Sequence, residues 1–320
     1  MLIRGGVTYP ARSFSDDVRE GLGKFGQKEL PSKYLYDDVG SALFEVITRL
    51  PEYGLTRAEE RILQRHADEI AERLPWHGMV VELGSGSGRK TRWILQALAH
   101  HGPTTYCPVE ISSAALESCE RELDDLAHVS IVGFETEYLD GLRQAVARRR
   151  HDEGVVVLFL GSSIGNFDRV AGEKFLIEVR KKLAAGDAVL LGTDLEKPLA
   201  ELIPAYDDSL GVTAMFNRNL LSRVNRELGG DFDLARFEHV AHYNPRERRI
   251  EMHLRSTEDQ TAGFAGLTFR FRRDDTIWTE SCHKYAPHEP AVMAGRTGFE
   301  CVARWVDSAW PFAENLFVAV

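Results

Sequence analysis

The stretch that most constrains the fold is MVVELGSGSGRKTRWIL, residues 79–95. Met79 to Leu83 form a short apolar run with two valines, the pattern of a parallel strand covered on both faces. Gly84, Gly86 and Gly88 end it, and helical apolar spacing resumes at Ile94, Leu95 and Leu98. Alternating glycines between a strand and a helix let a backbone loop approach a bound group closely. A dinucleotide fingerprint needs a third glycine at position 89 or 91, where Arg89 and Thr91 stand instead. Alone, the pattern suits a cofactor loop, a nucleotide loop or a merely structural turn. The next strand, TTYCPVEI (104–111), supplies Glu110 near its end. A carboxylate there, about twenty residues or more past the turn, is placed to accept hydrogen bonds from ribose hydroxyls, which favours the cofactor reading.

Strand and helix patterns alternate around this core: 79–83, 90–100, 105–110, 112–124, 128–132, 140–150, 155–160, 170–184 and 187–193. This is the rhythm of a doubly wound α/β sheet. It breaks at a helical run over 199–227, followed by segments of period-2 alternation, before an αβ unit with two apolar strands closes the chain. The expected organisation is a cofactor domain of residues 60–195 plus 286–320, and an α+β domain of 1–59 plus 196–285. The N-terminus before Ser15 is expected to be loose. Ser15–Leu22, the helix closed by Pro51, and a long helix from the Thr56 cap to about Leu74 precede the glycine strand.

A formal charge of −10 and short, solvated basic runs at 148–150 and 246–249 argue against nucleic acid as partner. No run of apolar residues is long enough for a membrane span, and the N-terminus lacks a signal-peptide core, so a cytoplasmic monomer acting on a small molecule is expected. Cysteines 107, 119, 282 and 301 have no zinc or redox spacing and are expected as free thiols. The histidines offer no H-E-x-x-H pair, so no metal is implied.

The G-x-G-x-G turn after Glu82 resembles the first motif of class I methyltransferases that bind S-adenosylmethionine. Together with YDDVGSALFEVITRLPEY, FLGSSIGNF, LLGTDLEK, AYDDSLGVTAMFNRNLL, VNRELGGDFDL, RIEMHLR and WTESCHK, the chain from about residue 14 onward resembles the histidine-specific Nα-methyltransferases of ergothioneine biosynthesis, which form hercynine. The resemblance implies a class I methyltransferase (Rossmann-like) sheet with an inserted α+β substrate-binding domain. It implies S-adenosylmethionine held by Gly84, Gly86, Lys90 and Glu110, with adenine at Glu137 and Tyr138 and Gly161 closing the pocket wall. At both acids the family carries aspartate. It further implies that Asn166 and Tyr206 grip the carboxylate of L-histidine and that Tyr36 and Tyr53 stand near its amine. Phe216 and Met252 then pack on the imidazole and Glu280 recognises the ring, with Cys282 where the family has serine. Independently, strand alternation puts Glu280 and Cys282 on one face of Trp278–Lys284.

Such chemistry needs an oriented neutral amine more than a strong base, so Tyr36 and Tyr53 are read as hydrogen-bond acceptors that aim the nitrogen lone pair. The alternatives are the same reaction on tryptophan, tyrosine or a modified histidine, a cofactor-binding module without turnover, and a nicotinamide-dependent oxidoreductase, which the missing glycine disfavours.

Overall fold

The computed structural model describes residues 2–4 by their backbone and, in full, residues 13–74, 78–151 and 153–320. In chain order, β1 (Leu2–Arg4), α1 (Phe14–Leu22), β2 (Lys28–Glu29), α2 (Asp38–Ile47) and α3 (Gly54–Arg73) come first. Then follow β3 (Gly78–Leu83), α4 (Thr91–Ala99), β4 (Thr104–Glu110), α5 (Ser113–Leu123), β5 (Val129–Ile131), β6 (Gly133–Glu135) and α6 (Tyr138–Val146). The strands β7 (Gly154–Phe159) and β8 (Ala188–Asp194) enclose α7 (Arg169–Arg180). After them come α8 (Leu199–Leu202), α9 (Val212–Leu228), β9 (Phe237–Asn244), β10 (Arg249–Ser256), β11 (Gln260–Phe264), β12 (Leu267–Phe271) and β13 (Thr276–His283). The chain closes with α10 (Glu289–Arg296), β14 (Phe299–Asp307) and β15 (Phe312–Ala319).

Two compact units result: residues 1–8, 55–196 and 283–320 form the first, and residues 9–54 and 197–282 the second. The first is built on a nine-stranded sheet ordered β1-β6-β4-β3-β7-β8-β15-β14, with β5 beside β4. Neighbours are parallel except around β15, which runs antiparallel to both β8 and β14. Strands β3, β7 and β8 are almost wholly buried. Their uninterrupted Val/Leu character follows from cover on both faces. Val81, Val157, Val189 and Phe317 belong to the main apolar core, together with Leu142 and Leu176 from flanking helices.

The second unit packs α9 against β9 and β10 in a four-stranded sheet ordered β2-β13-β10-β9, with β11 and β12 as a separate hairpin. Asp37 joins its helices. It caps α2 through a 2.8 Å bond from the Gly40 N–H and accepts a 2.7 Å bond from Asn219 of α9.

Several local expectations are corrected. Leu2–Arg4 is not loose but pairs in parallel with β6; Met1 and residues 5–12 lie outside the described residues. The helical run over 199–227 is split, because Pro204 cannot continue a helix and Gly211, at φ +73°, begins a new one. The strand expected at 128–132 continues to Glu135 in two pieces, and the following helix starts at Tyr138 rather than 140.

Candidate functional site

In the first unit, β3 delivers the chain to the glycine turn at the C-terminal edge of the sheet. Ligands of doubly wound sheets bind at this edge. Gly84 (φ +80°) and Gly86 (φ +51°) adopt left-handed conformations that side chains disfavour. A Cβ on Gly84 would stand 3.1 Å from the Tyr138 hydroxyl, whereas one on Gly86 would meet no atom within 4 Å. The loop is therefore backed by Tyr138 at its start and open at Gly86, which leaves room for a ligand.

Glu110 ends β4 beside that opening. Its carboxylate accepts from the Gly86 N–H at 3.3 Å and the Ile111 N–H at 2.8 Å. Burial pushes its pKa up, and the backbone donors oppose the shift. Tyr138 is edge-on to Phe159 at 5.5 Å. Glu137 stands exposed before α6 without capping it. The acid in register with Glu110 is instead Glu135, the last residue of β6.

Glu82 and Glu59 were not anticipated as structural partners of the loop. Glu82 is buried and accepts hydrogen bonds from Thr91 of α4 at 2.8 Å and from the Tyr106 hydroxyl of β4. Burial raises its pKa to about 7, against the effect of those donors. Glu59 of α3 takes Lys90 on one oxygen and the Gly161 N–H on the other. Burial works to lower the Lys90 pKa, but the Glu59, Glu82 and Glu314 carboxylates outweigh it and raise it. Two expected cofactor contacts, Lys90 and Gly161, thus share one buried anchor 102 residues before Gly161 in the chain. Asn166 closes the short 3-10 turn Ser163–Asn166, which begins after Ser162 in a left-handed conformation.

In the second unit the chemistry gathers on aromatic rings. Tyr36 and Phe216 lie edge-on with centroids 5.5 Å apart, and Phe44 contacts both at 5.5 and 6.0 Å. Tyr53 meets Phe44 at 6.1 Å and Tyr206 at 6.3 Å. The Tyr206 hydroxyl donates to the Cys282 thiol at 2.8 Å, and the Tyr36 hydroxyl makes a long 3.5 Å contact to Glu280 Oε1. Glu280 and Cys282 are both buried, with the less buried Ser281 between them. Met252 is buried in β10, and its carbonyl accepts from Thr279.

Phe44 links three of these residues, Tyr36, Tyr53 and Phe216, although its helical spacing marked it only as core. His239 was also missed. Its Nδ1 faces the Asn217 amide nitrogen at 2.9 Å and so must accept, which makes Nε2 the protonated nitrogen that donates to the Tyr206 carbonyl at 2.8 Å. Burial lowers its pKa, consistent with a neutral ring.

The sheet order of the first unit keeps the 3-2-1-4-5 arrangement of a doubly wound fold but replaces the sixth strand by the antiparallel pair β14–β15. With the open glycine turn and its carboxylate neighbour, this defines a class I S-adenosylmethionine-dependent methyltransferase. A family model described as histidine-specific methyltransferase, SAM-dependent, matches residues 14–319, and the chain belongs to that family. It is 39% identical to the histidine N-alpha-methyltransferase of Mycobacterium tuberculosis, over 94% of this chain and 93% of that protein. It is 38% identical to the protein of the same name from Mycolicibacterium smegmatis, over 96% and 95%. The ergothioneine biosynthesis protein 1 of Neurospora crassa is 33% identical over 88% of this chain, which matches 32% of that longer protein.

Proposed function

We propose that the protein transfers three methyl groups from S-adenosylmethionine to the α-nitrogen of L-histidine, forming hercynine as a step of ergothioneine biosynthesis. The first unit is the cofactor domain and the second the substrate domain. Gly84, Gly86, Lys90, Glu110, Glu137, Tyr138 and Gly161 hold the cofactor, and Glu135 joins them as the acid in register with Glu110. The open left-handed backbone at Gly86, beside a carboxylate able to take ribose hydroxyls, fits that group. When bound, it supplies an electrophilic methyl carbon with a thioether leaving group.

The chain's own task is to hold and orient the amine. Asn166 and Tyr206 grip the substrate carboxylate, and Phe216 and Met252 pack on its ring. Glu280 carries the choice of substrate: its buried carboxylate, which the Tyr36 hydroxyl faces at 3.5 Å, can accept from an imidazole N–H, a donor that an apolar side chain does not offer. Cys282 lies beside it. Tyr36 and Tyr53 accept from the amine N–H groups and aim the lone pair. Before each transfer the ammonium loses one proton to water; a peptide α-amine titrates at about 8 and that of a free amino acid higher, so the tyrosines select a minority neutral form without a dedicated base. The growing cationic head is favoured by the Tyr36, Phe44 and Tyr53 faces. The same proposal takes the protein as a cytoplasmic monomer with no nucleic-acid or membrane partner, supported by its acidic balance.

The test is Glu280→Ala. Histidine turnover, followed by mass spectrometry for one, two and three added methyl groups, should fall by about one to three orders of magnitude while cofactor binding persists. Undiminished turnover, or a wild-type protein that ignores histidine and methylates tryptophan or tyrosine, would falsify the assignment.

A further inference from the structure

A second cluster, which methyl transfer does not use, lies on the β9–β10 strand pair. Strand register sets Glu251 directly opposite His242, and the period of two along β10 brings His253 to the same face as Glu251. Glu251 Oε2 is 3.0 Å from His242 Nε2 and 3.5 Å from His253 Nε2, and one ligand atom from each of the three residues lies within 4.8 Å of the others. The two imidazoles stack at 5.0 Å with 24° between their planes. The other Glu251 oxygen, Oε1, accepts from Asn244 Nδ2 at 2.9 Å and from Arg249 Nε at 2.7 Å. Those bonds fix the carboxylate and leave Oε2 aimed at the rings, as outer partners orient a metal ligand.

His253 supplies an independent sign of a missing partner. The residue is 6% exposed, yet neither of its ring nitrogens makes a hydrogen bond. Buried polar atoms are nearly always satisfied, so two on one ring call for an explanation. Trp278 stacks on it at 6.2 Å and walls that side.

We propose that His242, Glu251 and His253 bind a divalent transition-metal ion of borderline softness, with zinc as the best fit. Two imidazole nitrogens and one carboxylate oxygen suit zinc, whereas calcium and magnesium need all-oxygen shells. Met252 and Leu254 point to the opposite face of β10, so the ion is a clamp on the strand pair. The site stands apart from the methyl-transfer reading and does not depend on it. Sequence spacing concealed it, because two of the ligands meet only through cross-strand pairing.

The experiment uses the tag-free full chain, stripped with chelator and dialysed against zinc chloride. Metal analysis should find a single zinc retained per chain, and cobalt(II) should show the visible absorption of nitrogen–oxygen ligation. His242 is half exposed, so His242→Ala should fold. It should weaken zinc binding at least about tenfold, the lower end of the loss seen even for outer-shell partners, and Glu251→Gln should do the same. A variant with both His100 and His101 changed to alanine controls for surface histidines and should bind zinc like the wild type. The site is overturned if no zinc is retained, if both His242→Ala and Glu251→Gln keep full affinity, or if only the control variant loses the metal.

Discussion

Cys282 differs from the family serine by a single atom. Its sulfur takes the Tyr206 hydroxyl at 2.8 Å, on a strand face it shares with Glu280, at the position where the family resemblance implies serine. A thiol donates and accepts more weakly than a hydroxyl. Cys282→Ser should therefore lower the histidine Kd about fivefold, or ~1 kcal/mol, by titration calorimetry. An unchanged or raised Kd would mean that the side chain serves Tyr206 and not the ligand. Glu82 makes a different prediction. Its folded pKa near 7 exceeds the ordinary 4.5, so its contribution to stability is complete below pH 4.5 and is lost as pH rises through 7. Urea unfolding of the wild type should show stability declining between pH 5 and 8 relative to Glu82→Gln, by up to about 3 kcal/mol for a shift of this size. Parallel pH profiles for the two proteins would show that Glu82 is ionised throughout. The sequence marked Glu82 only as a motif letter, because its partners Tyr106 and Thr91 become visible only when β4 and α4 are packed.

Among the elements, the turn after β3 carries the most testable claim. At Gly86 the backbone is left-handed but the space beyond it is empty, so a side chain there costs strain, roughly 1–2 kcal/mol, and obstructs the ligand rather than the core. Wild-type protein should gain about 2.7 kcal/mol of stability at a cofactor concentration a hundred times Kd. Thermal melts of Gly86→Leu should show a folded protein that no longer responds to S-adenosylmethionine. A response equal to the wild type's would remove the turn from the cofactor site. Apolar runs with clear period made the central strands β3, β4, β7 and β8 legible, while short polar boundaries were not. Pro204 and Gly211 split a run whose apolar spacing reads as one helix. Glu135, the acid in register with Glu110, was not singled out in the sequence, since register depends on where β6 ends, and sequence defines strand ends poorly. His239 has no motif at all: its partners, Asn217 and the Tyr206 carbonyl, come from a helix and a loop.

Across the whole molecule, each unit is assembled from separated stretches of chain. The change of period after residue 195 marks a break in the sequence, whereas the pairing of Leu2–Arg4 with β6 leaves no such mark, because a three-residue edge strand has too little pattern to detect. The position of β15 has a further consequence for biosynthesis. This strand leaves a ribosome more than one hundred residues after β8, yet it lies between β8 and β14 in the sheet. Until it arrives, β8 has no partner on one side, and its sequence AVLLGTD is entirely buried in the finished fold. At ordinary rates of translation this exposed edge persists for on the order of ten seconds. A nascent chain in that state resembles an unprotected edge strand, the form of sheet most prone to pair with a neighbour. Slowed translation between β8 and β15 should therefore reduce the soluble yield of this protein more than an equal delay upstream of β8.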